Sequence, residues 1–487
     1  MASLDLHSTY INPHSGLLPN VMSEKEGKAI EDLFSWYFPS GPIRHATATF
    51  GGSGTSQTAT VNSHHWNMDH VLRQIMGIPS LDPGINFSIL GGGKGLQLSS
   101  ALLSCLGESV ERMAGTLAFL KKDIDVIFGS YCHLQKTGLN AIAPEECPLF
   151  ANEQYESPDF LFERFTRNTE FNWIKGRRLI SGESIWVPLQ IVLFFYILSK
   201  KETQIGYSSS SGMASHIDEA LAIIACVTEL LERDAINLCW YSGIPLRRLR
   251  IDRPFSSRKA NTVYEQLKSL PGKAALWLHD VGMSELPTVS AALVLPNCKK
   301  FAYQAGAASA LEGEEAVLSA MVEYCQSEIQ MKLAMFAPQR HWVKAIELIF
   351  DVPPDKPVSE ITTFLETVGY YGYPVNSGKL QSYYRSNEEV ALSELPKLKS
   401  NSSDHQLGRL KDILQQYRID PIIFDCTPER MSQLRVIKVF IPELLQPHIA
   451  AYPYLGHPRL YEMPMKLGLR DQPLSFEELK PGPVPFP

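Results

Sequence analysis

The sequence predicts a mixed α/β (α+β) fold with mixed sheets and a pair of acidic helices facing one pocket. Three observations carry that prediction. From residue 89 onward, apolar helical stretches at 98–117, 215–241 and 314–336 alternate with β-rich runs such as AALWLHDVG, TVSAALVLP and VIKVFIP. At 487 residues, 44% of them hydrophobic, the chain can bury a large core. Finally, SCLGESVERMAG at 104–115 is echoed by CVTELLERDAIN at 226–237, both carrying E-x-x-E-R on an apolar helix.

Residues 1–88 mix short strand-like and helical pieces with loops such as GGSGTSQT at 51–58, and form an N-terminal region without an obvious catalytic unit. The catalytic core is expected over 89–475, followed by a proline-rich tail at 476–487. GGGKG at 91–95 reads as a glycine-rich turn ahead of the first acidic helix. The run IWVPLQIVLFFYIL at 185–198 contains Pro188 and Gln190, is too short to span a bilayer, and reads as a buried strand pair. SSSSGM at 208–213 is a small-residue turn leading into the second acidic helix, with an N-terminal helix cap as its plain explanation. KLKSNSSDHQ at 397–406 reads as an exposed loop before the last helix and strands.

Forty-five basic against 52 acidic residues leave a net charge of −7, without the basic block of a nucleic-acid or anionic-membrane binder. The N-terminal MASLDLHSTY shows no basic region followed by an apolar core, so no secretion signal is expected. Eight cysteines are scattered without any CxxC, which suggests neither a zinc knuckle nor a disulfide framework and fits a reducing cytoplasm.

On a helix, positions i and i+3 share a face, so Glu108 with Glu111, and Glu229 with Glu232, each present two carboxylates side by side. A single E-x-x-E-R is most simply a solvated face with a weak Glu–Arg pair. Two copies embedded in apolar sequence are different: four acidic groups near apolar surface repel one another unless cations hold them. Oxygen-rich sets of this kind suit Mg²⁺, which commonly bridges to nucleotide phosphates. GGGKG could bring backbone N–H groups to an anion, with Lys94 adding charge, although a plain tight turn explains it equally well. It is not a Walker A loop, since Gly95 stands where Ser or Thr should follow the lysine. HHWNMDH at 64–70 fits no standard zinc spacing, and exposed or locally paired histidines are its simpler reading. No nucleophile elbow and no flavin or nicotinamide fingerprint is visible.

Together, GGGKGLQLSSALLSCLGESVER, SSSSGMASHIDEALAIIACVTELLERDAI and GAASALEGEEAVLSAMVEYCQ resemble the YcaO family, and within it the azoline-forming cyclodehydratases. Further likeness runs through NPHSGLL, WIKGRRLISGESIWVPLQIV, FDCTPERMSQLRVIKVFIPELLQP and YLGHPRLYEMP, so it covers nearly the whole chain. The resemblance implies an enzyme that uses ATP and Mg²⁺ to activate a backbone amide of a ribosomally made precursor peptide. Its Cys, Ser or Thr side chains would become thiazoline or oxazoline. By the same resemblance Glu108, Glu111, Glu229 and Glu232 hold Mg²⁺, while Ser104, Arg233, Glu323 and Gln326 seat the nucleotide, to which Lys94 adds the charge read from GGGKG. The chain departs from the family pattern at Ile217 and Leu221, where Asn and Glu are frequent, and at Glu328, where arginine is. His216, Asp218 and Glu219 are the nearby candidates to substitute.

The tail KPGPVPFP carries proline at 481, 483, 485 and 487, which makes it stiff and extended. A proline-rich end of this kind marks azoline-forming relatives, and the resemblance implies that the carboxylate of Pro487 is the general base, its pKa raised by burial. A rigid tail that merely packs is the plain alternative. The resemblance also implies a leader-peptide-binding, E1-like partner protein. A flavin-dependent dehydrogenase in the same complex and homodimerisation stay open. Thioamide or amidine formation, or a non-catalytic nucleotide-binding scaffold, are the competing functions.

Overall fold

The structure is a computed structural model that describes residues 24–50, 58–66, 68–76, 90–269, 274–295, 297–336, 352–398, 402–480 and 482–486. Strands β1 (Ile43–Phe50), β2 (Ala59–His65) and β3 (Leu90–Gly95) form an antiparallel three-stranded sheet. The strands that follow are β4 (Val126–Gly129), β5 (Phe171–Arg178), β6 (Ser184–Pro188), β7 (Met213–His216), β8 (Arg247–Arg250), β9 (Ala275–His279), β10 (Thr288–Val294), β11 (Tyr303–Ser309), β12 (Glu389–Ala391), β13 (Ile422–Asp425) and β14 (Arg435–Phe440). They build a six-stranded sheet, ordered β4-β5-β13-β14-β7 with β6 on β5, and a five-stranded sheet, ordered β11-β10-β9-β8-β12. The β12–β8 pair is parallel and the others are antiparallel, so the expected mixed α/β architecture holds.

The first eight helices are α1 (Glu24–Phe34), α2 (Met68–Met76), α3 (Leu98–Leu117), α4 (Tyr131–Lys136), α5 (Asn152–Tyr155), α6 (Glu219–Tyr241), α7 (Arg258–Ser269) and α8 (Gly313–Phe336). Three of them organise the molecule, because each is shared between two sheets. Helix α3 packs between the three- and six-stranded sheets, α6 between the six- and five-stranded sheets, and α8 between the five- and three-stranded sheets. Most of the 23 residues of α6 are buried, as its apolar composition on all sides requires for a helix sandwiched between two layers. The acidic motifs therefore lie on helices that are each enclosed between two sheets.

GGGKG is a strand rather than the expected turn. Glycine has little intrinsic preference for a strand, and packing supplies the reason: a Cβ on Gly93 would run into the Ala101 carbonyl of α3, and one on Gly91 into Ser109. The bare strand lets α3 settle directly on the sheet. Ser63 Oγ, which lies 2.7 Å from Ser109 Oγ and accepts from Gly91 N–H at 3.2 Å, ties β2, β3 and α3 together.

Three other expectations need correction. Residues 185–198 form one strand, β6, followed by a 3-10 turn at Leu189–Ile191, not a strand pair. Pro188 has no N–H with which to continue a ladder, and Gln190 turns inward, donating to Thr203 O at 2.9 Å and accepting from Ile205 N–H at 2.9 Å. SSSSGM does not cap α6, because β7 intervenes and Asp218 is the cap, accepting from Ala220 and Leu221 N–H groups. Within 397–406, the helix Ser403–Gln416 already begins at Ser403, and a later helix, Pro458–Lys466, follows the final strands. All eight cysteines are free thiols. No helix among the described residues is long and apolar enough to cross a membrane.

Candidate active site

The two copies of the acidic motif share a local construction. In each, a glycine N–H in the segment before the helix donates to the first glutamate of the motif. Gly92 donates to Glu108 Oε2 at 3.2 Å, and Gly212 donates to Glu229 Oε2 at 3.0 Å. The internal repeat is therefore a repeated structural device as well as a repeated string. Its second copy depends on backbone geometry, since Gly212 has φ +75 and a Cβ there would sit 2.9 Å from the Val439 carbonyl.

The arginines differ between copies. Arg112 reaches back one turn to Glu108 at 2.6 Å, while Arg233 lies 3.5 Å from its sequence neighbour Glu232. Burial raises the pKa of Glu111 well above the ordinary carboxylate range, and the charges of Glu108 and Glu229 raise it further; Arg112 and a Ser215 backbone N–H oppose them. Burial also raises Glu229, against Arg233, the Gly212 N–H and Lys438. Glu232 is pushed up to about 7 by burial, with Arg233 lowering it and Glu323 and Glu229 adding to the rise. These mutual effects place carboxylates from α3, α6 and α8 in one field.

Helix α8 closes the site. Glu323 pairs with Lys94 of β3, and Gln326 Nε2 comes within 3.2 Å of where a Gly92 side chain would begin, beside Glu108. Eight of the sequence-predicted residues, Lys94, Glu108, Glu111, Glu229, Glu232, Arg233, Glu323 and Gln326, thus surround one region. Ser104 is exposed on α3, one turn before Glu108. Pro487 lies outside the described residues. Asp218 is occupied as a helix cap, bonded also to Ser403 Oγ at 2.7 Å, His216 Nδ1 accepts from Asp218 N–H, and Glu219 is exposed.

Among the described residues, no three His, Cys, Asp or Glu side chains converge tightly enough to hold a metal ion by themselves. The carboxylates are instead turned onto glycine N–H groups and arginines. The donor chemistry nevertheless fits Mg²⁺, which takes oxygen ligands only and characteristically uses one or two carboxylates with waters and substrate phosphates. A partly desolvated, mutually repelling carboxylate set is stabilised by such a cation. In HHWNMDH, His64 stacks on His45 at 4.2 Å and His65 Nε2 lies 2.6 Å from Ser63 Oγ, so both are locally partnered. The side chain of His70 is outside the described residues.

A second group of residues grips the tail. Trp240 Nε1 donates to Gly482 O at 3.1 Å, Tyr371 OH to Pro483 O at 2.5 Å, and Tyr303 OH to Pro485 O at 2.7 Å. Phe486 is buried against His279. Two of the three carbonyls belong to prolines, which have no N–H to offer, and the socket meets each carbonyl with a donor. Sequence reasoning named neither these residues nor Lys438, whose ammonium is buried in β14 and donates to Ser209 O at 2.9 Å and Ser211 O at 2.7 Å. A lone lysine inside the apolar run VIKVFIP was the available signal.

A family model described as YcaO cyclodehydratase, ATP- and Mg²⁺-binding, matches residues 92–445. Comparison with curated proteins finds no match. Among solved structures, a heterocyclase in complex with substrate and cofactor is similar over 98% of this chain, at 20% identity and a TM-score of 0.70; the chain spans 60% of that protein's length. YcaO from Methanopyrus kandleri, bound with AMPPCP and Mg²⁺, is similar over 88% of this chain and 92% of its own, at 15% identity and a TM-score of 0.57. The E. coli microcin synthetase McbBCD complex with pro-MccB17 bound is similar over 91% of this chain and 96% of its own, at 15% identity and a TM-score of 0.55. At such identities these structures share the fold, whereas the family match runs through every acidic element of the site and well over half of the sequence. The chain therefore belongs to the YcaO cyclodehydratase family, which binds ATP and Mg²⁺.

Proposed function

We propose that this chain is an ATP-dependent peptide cyclodehydratase that converts Cys, Ser or Thr residues of a ribosomally made precursor into thiazolines or oxazolines. The side-chain thiol or hydroxyl adds to the preceding backbone carbonyl, a base takes its proton, and the resulting oxyanion receives the γ-phosphoryl group of ATP. Expulsion of phosphate, with loss of the amide proton, then leaves the ring. Activation is needed because an amide oxygen is a poor leaving group until it is phosphorylated.

Glu108, Glu111, Glu229 and Glu232 are assigned to Mg²⁺, which when bound neutralises phosphate charge. Arg233 and Lys94 face phosphate oxygens, and Ser104, Glu323 and Gln326 seat the nucleotide. These groups act by positioning and by charge. The carboxylate of Pro487 is assigned as the general base. Because Trp240 of α6, together with Tyr371 and Tyr303, holds the preceding tail residues, the base would be delivered by a stiff segment with little entropy left to lose.

One observation carries the reading. Helix α6 bears the carboxylates Glu229 and Glu232 on one stretch and the tail-gripping Trp240 on the next, which supports linking the residues assigned to the nucleotide with the proline tail. The YcaO match supplies the ATP and Mg²⁺ chemistry, and a neighbour of the same fold is solved with a pro-peptide bound. Peptide recognition is assigned to a separate leader-binding, E1-like partner.

The test is mass spectrometry of a precursor peptide incubated with ATP, Mg²⁺, this chain and its partner. One water should be lost per ring. Adding a glycine after Pro487 should abolish ring formation while leaving Mg²⁺-dependent binding of a non-hydrolysable ATP analogue unchanged. A gain in mass from sulfur exchange, or undiminished modification by E108Q, would overturn the proposal.

A further inference from the structure

Lys438 stands apart from every residue assigned above. It lies on β14, an interior strand paired with β13 on one side and β7 on the other, and its side chain is only 4% exposed. Burying an ammonium costs several kcal/mol unless its donors are used and its charge is answered. The first condition is met by the neighbouring turn and the second in part, since burial still lowers its pKa to about 8. Its Nζ donates to the carbonyls of Ser209 and Ser211, and the charges it feels include those of Glu229 and Glu111. The next residue, Val439, donates its backbone N–H to Gly212 O at 2.7 Å. Two successive residues of β14 therefore hold the same serine-rich turn, one by side chain and one by backbone. That turn ends in the Gly212 N–H that binds Glu229.

We infer that Lys438 is a positioning residue for the acidic site, fixing the Ser209–Gly212 turn so that Gly212 aims Glu229. The two copies of the motif explain why such a residue is needed. In the first copy the orienting glycine, Gly92, is fixed in the ladder of β3 on β2, whereas in the second Gly212 ends a turn ahead of β7 and is fixed by β14. Glu229 thus takes its orientation from the turn, and the turn takes its shape from β14. The inference rests on the nucleotide reading of this site and names a residue on which that site depends.

The experiment is a double-mutant cycle between Lys438 and Glu229, read by Mg²⁺-dependent binding of a non-hydrolysable ATP analogue to the full chain, with thermal melting recorded without nucleotide. Loss of two hydrogen bonds from a charged donor should weaken analogue binding in K438M by about tenfold or more. E229Q should weaken it similarly. Because Lys438 acts through Glu229, adding K438M to E229Q should weaken binding by no more than about threefold further. If K438M fails to melt cooperatively, K438Q, whose amide is one bond shorter and falls short of the two carbonyls, replaces it with the same expected pattern. Wild-type binding that the Lys438 variant leaves unchanged, or losses that multiply independently in the double variant, would overturn the inference alone. Wild-type protein that binds no analogue would overturn the nucleotide reading, and this inference with it.

Discussion

Replacing Glu232 by Gln should make the nucleotide-free protein more stable at pH 8 while removing its function. Glu232 is 7% exposed, and its pKa is raised from 4.5 to about 7, first by burial and then by Glu323 and Glu229 against the pull of Arg233. Between those two values the folded chain holds a proton that the unfolded chain has released. Stability from this group is fully present below pH 4.5 and is lost as pH rises towards 7. The interval corresponds to on the order of 3 kcal/mol. For a chain of this length that is a shift of about 3 °C in melting temperature. Melting E232Q and wild type without nucleotide from pH 4.5 to pH 8 should show the variant ahead at pH 8 and the gap closing at the acid end. Adding Mg²⁺ with an ATP analogue should reverse the order, since only wild type gains from binding. A variant no more stable than wild type at pH 8, or one whose advantage persists undiminished at pH 4.5, would refute the reasoning.

The tail socket and the bare strand give two further tests. Y303F and Y371F each remove one hydrogen bond to a tail carbonyl, worth about 1 kcal/mol. Combined, they should lower ring-forming turnover about tenfold or more with analogue affinity unchanged, as measured by single-turnover kinetics beside calorimetric binding. Gly93→Ala drives a methyl group into the α3 backbone and should cost about 1–3 kcal/mol. Gly27→Ala, in α1 with nothing within 4 Å of the new carbon, should stabilise by up to about 1 kcal/mol. Denaturant midpoints of the two variants should therefore move in opposite directions.

The acidic helices were legible in the sequence because carboxylates at i and i+3 sat inside long apolar stretches: the apolar residues mark a buried helix, and carboxylates within it stand out because burial penalises them. What stayed hidden was fixed by partners distant along the chain. GGGKG read as a turn because nothing local marks a glycine strand; the reason lies in the surface of α3. Strand β7 is only four residues, MASH, too short and too polar at its end to show a period of two, so the serine-rich turn was taken to run straight into α6. Lys438 meets carbonyls more than two hundred residues earlier in the sequence. Tyr303 and Tyr371 are ordinary core aromatics until the tail is laid beside them. The tail itself was conspicuous, since alternating prolines state a conformation directly, but its receptor was not.

Helix α6 also works as a ruler. Eight residues separate Glu232 from Trp240, about 12 Å along the axis. A single residue inserted between them would swing the indole roughly 100° away from the Gly482 carbonyl while the carboxylates kept their places. An insertion in this interval should therefore uncouple the carboxylates proposed to hold Mg²⁺ from the socket that grips residues 482–486.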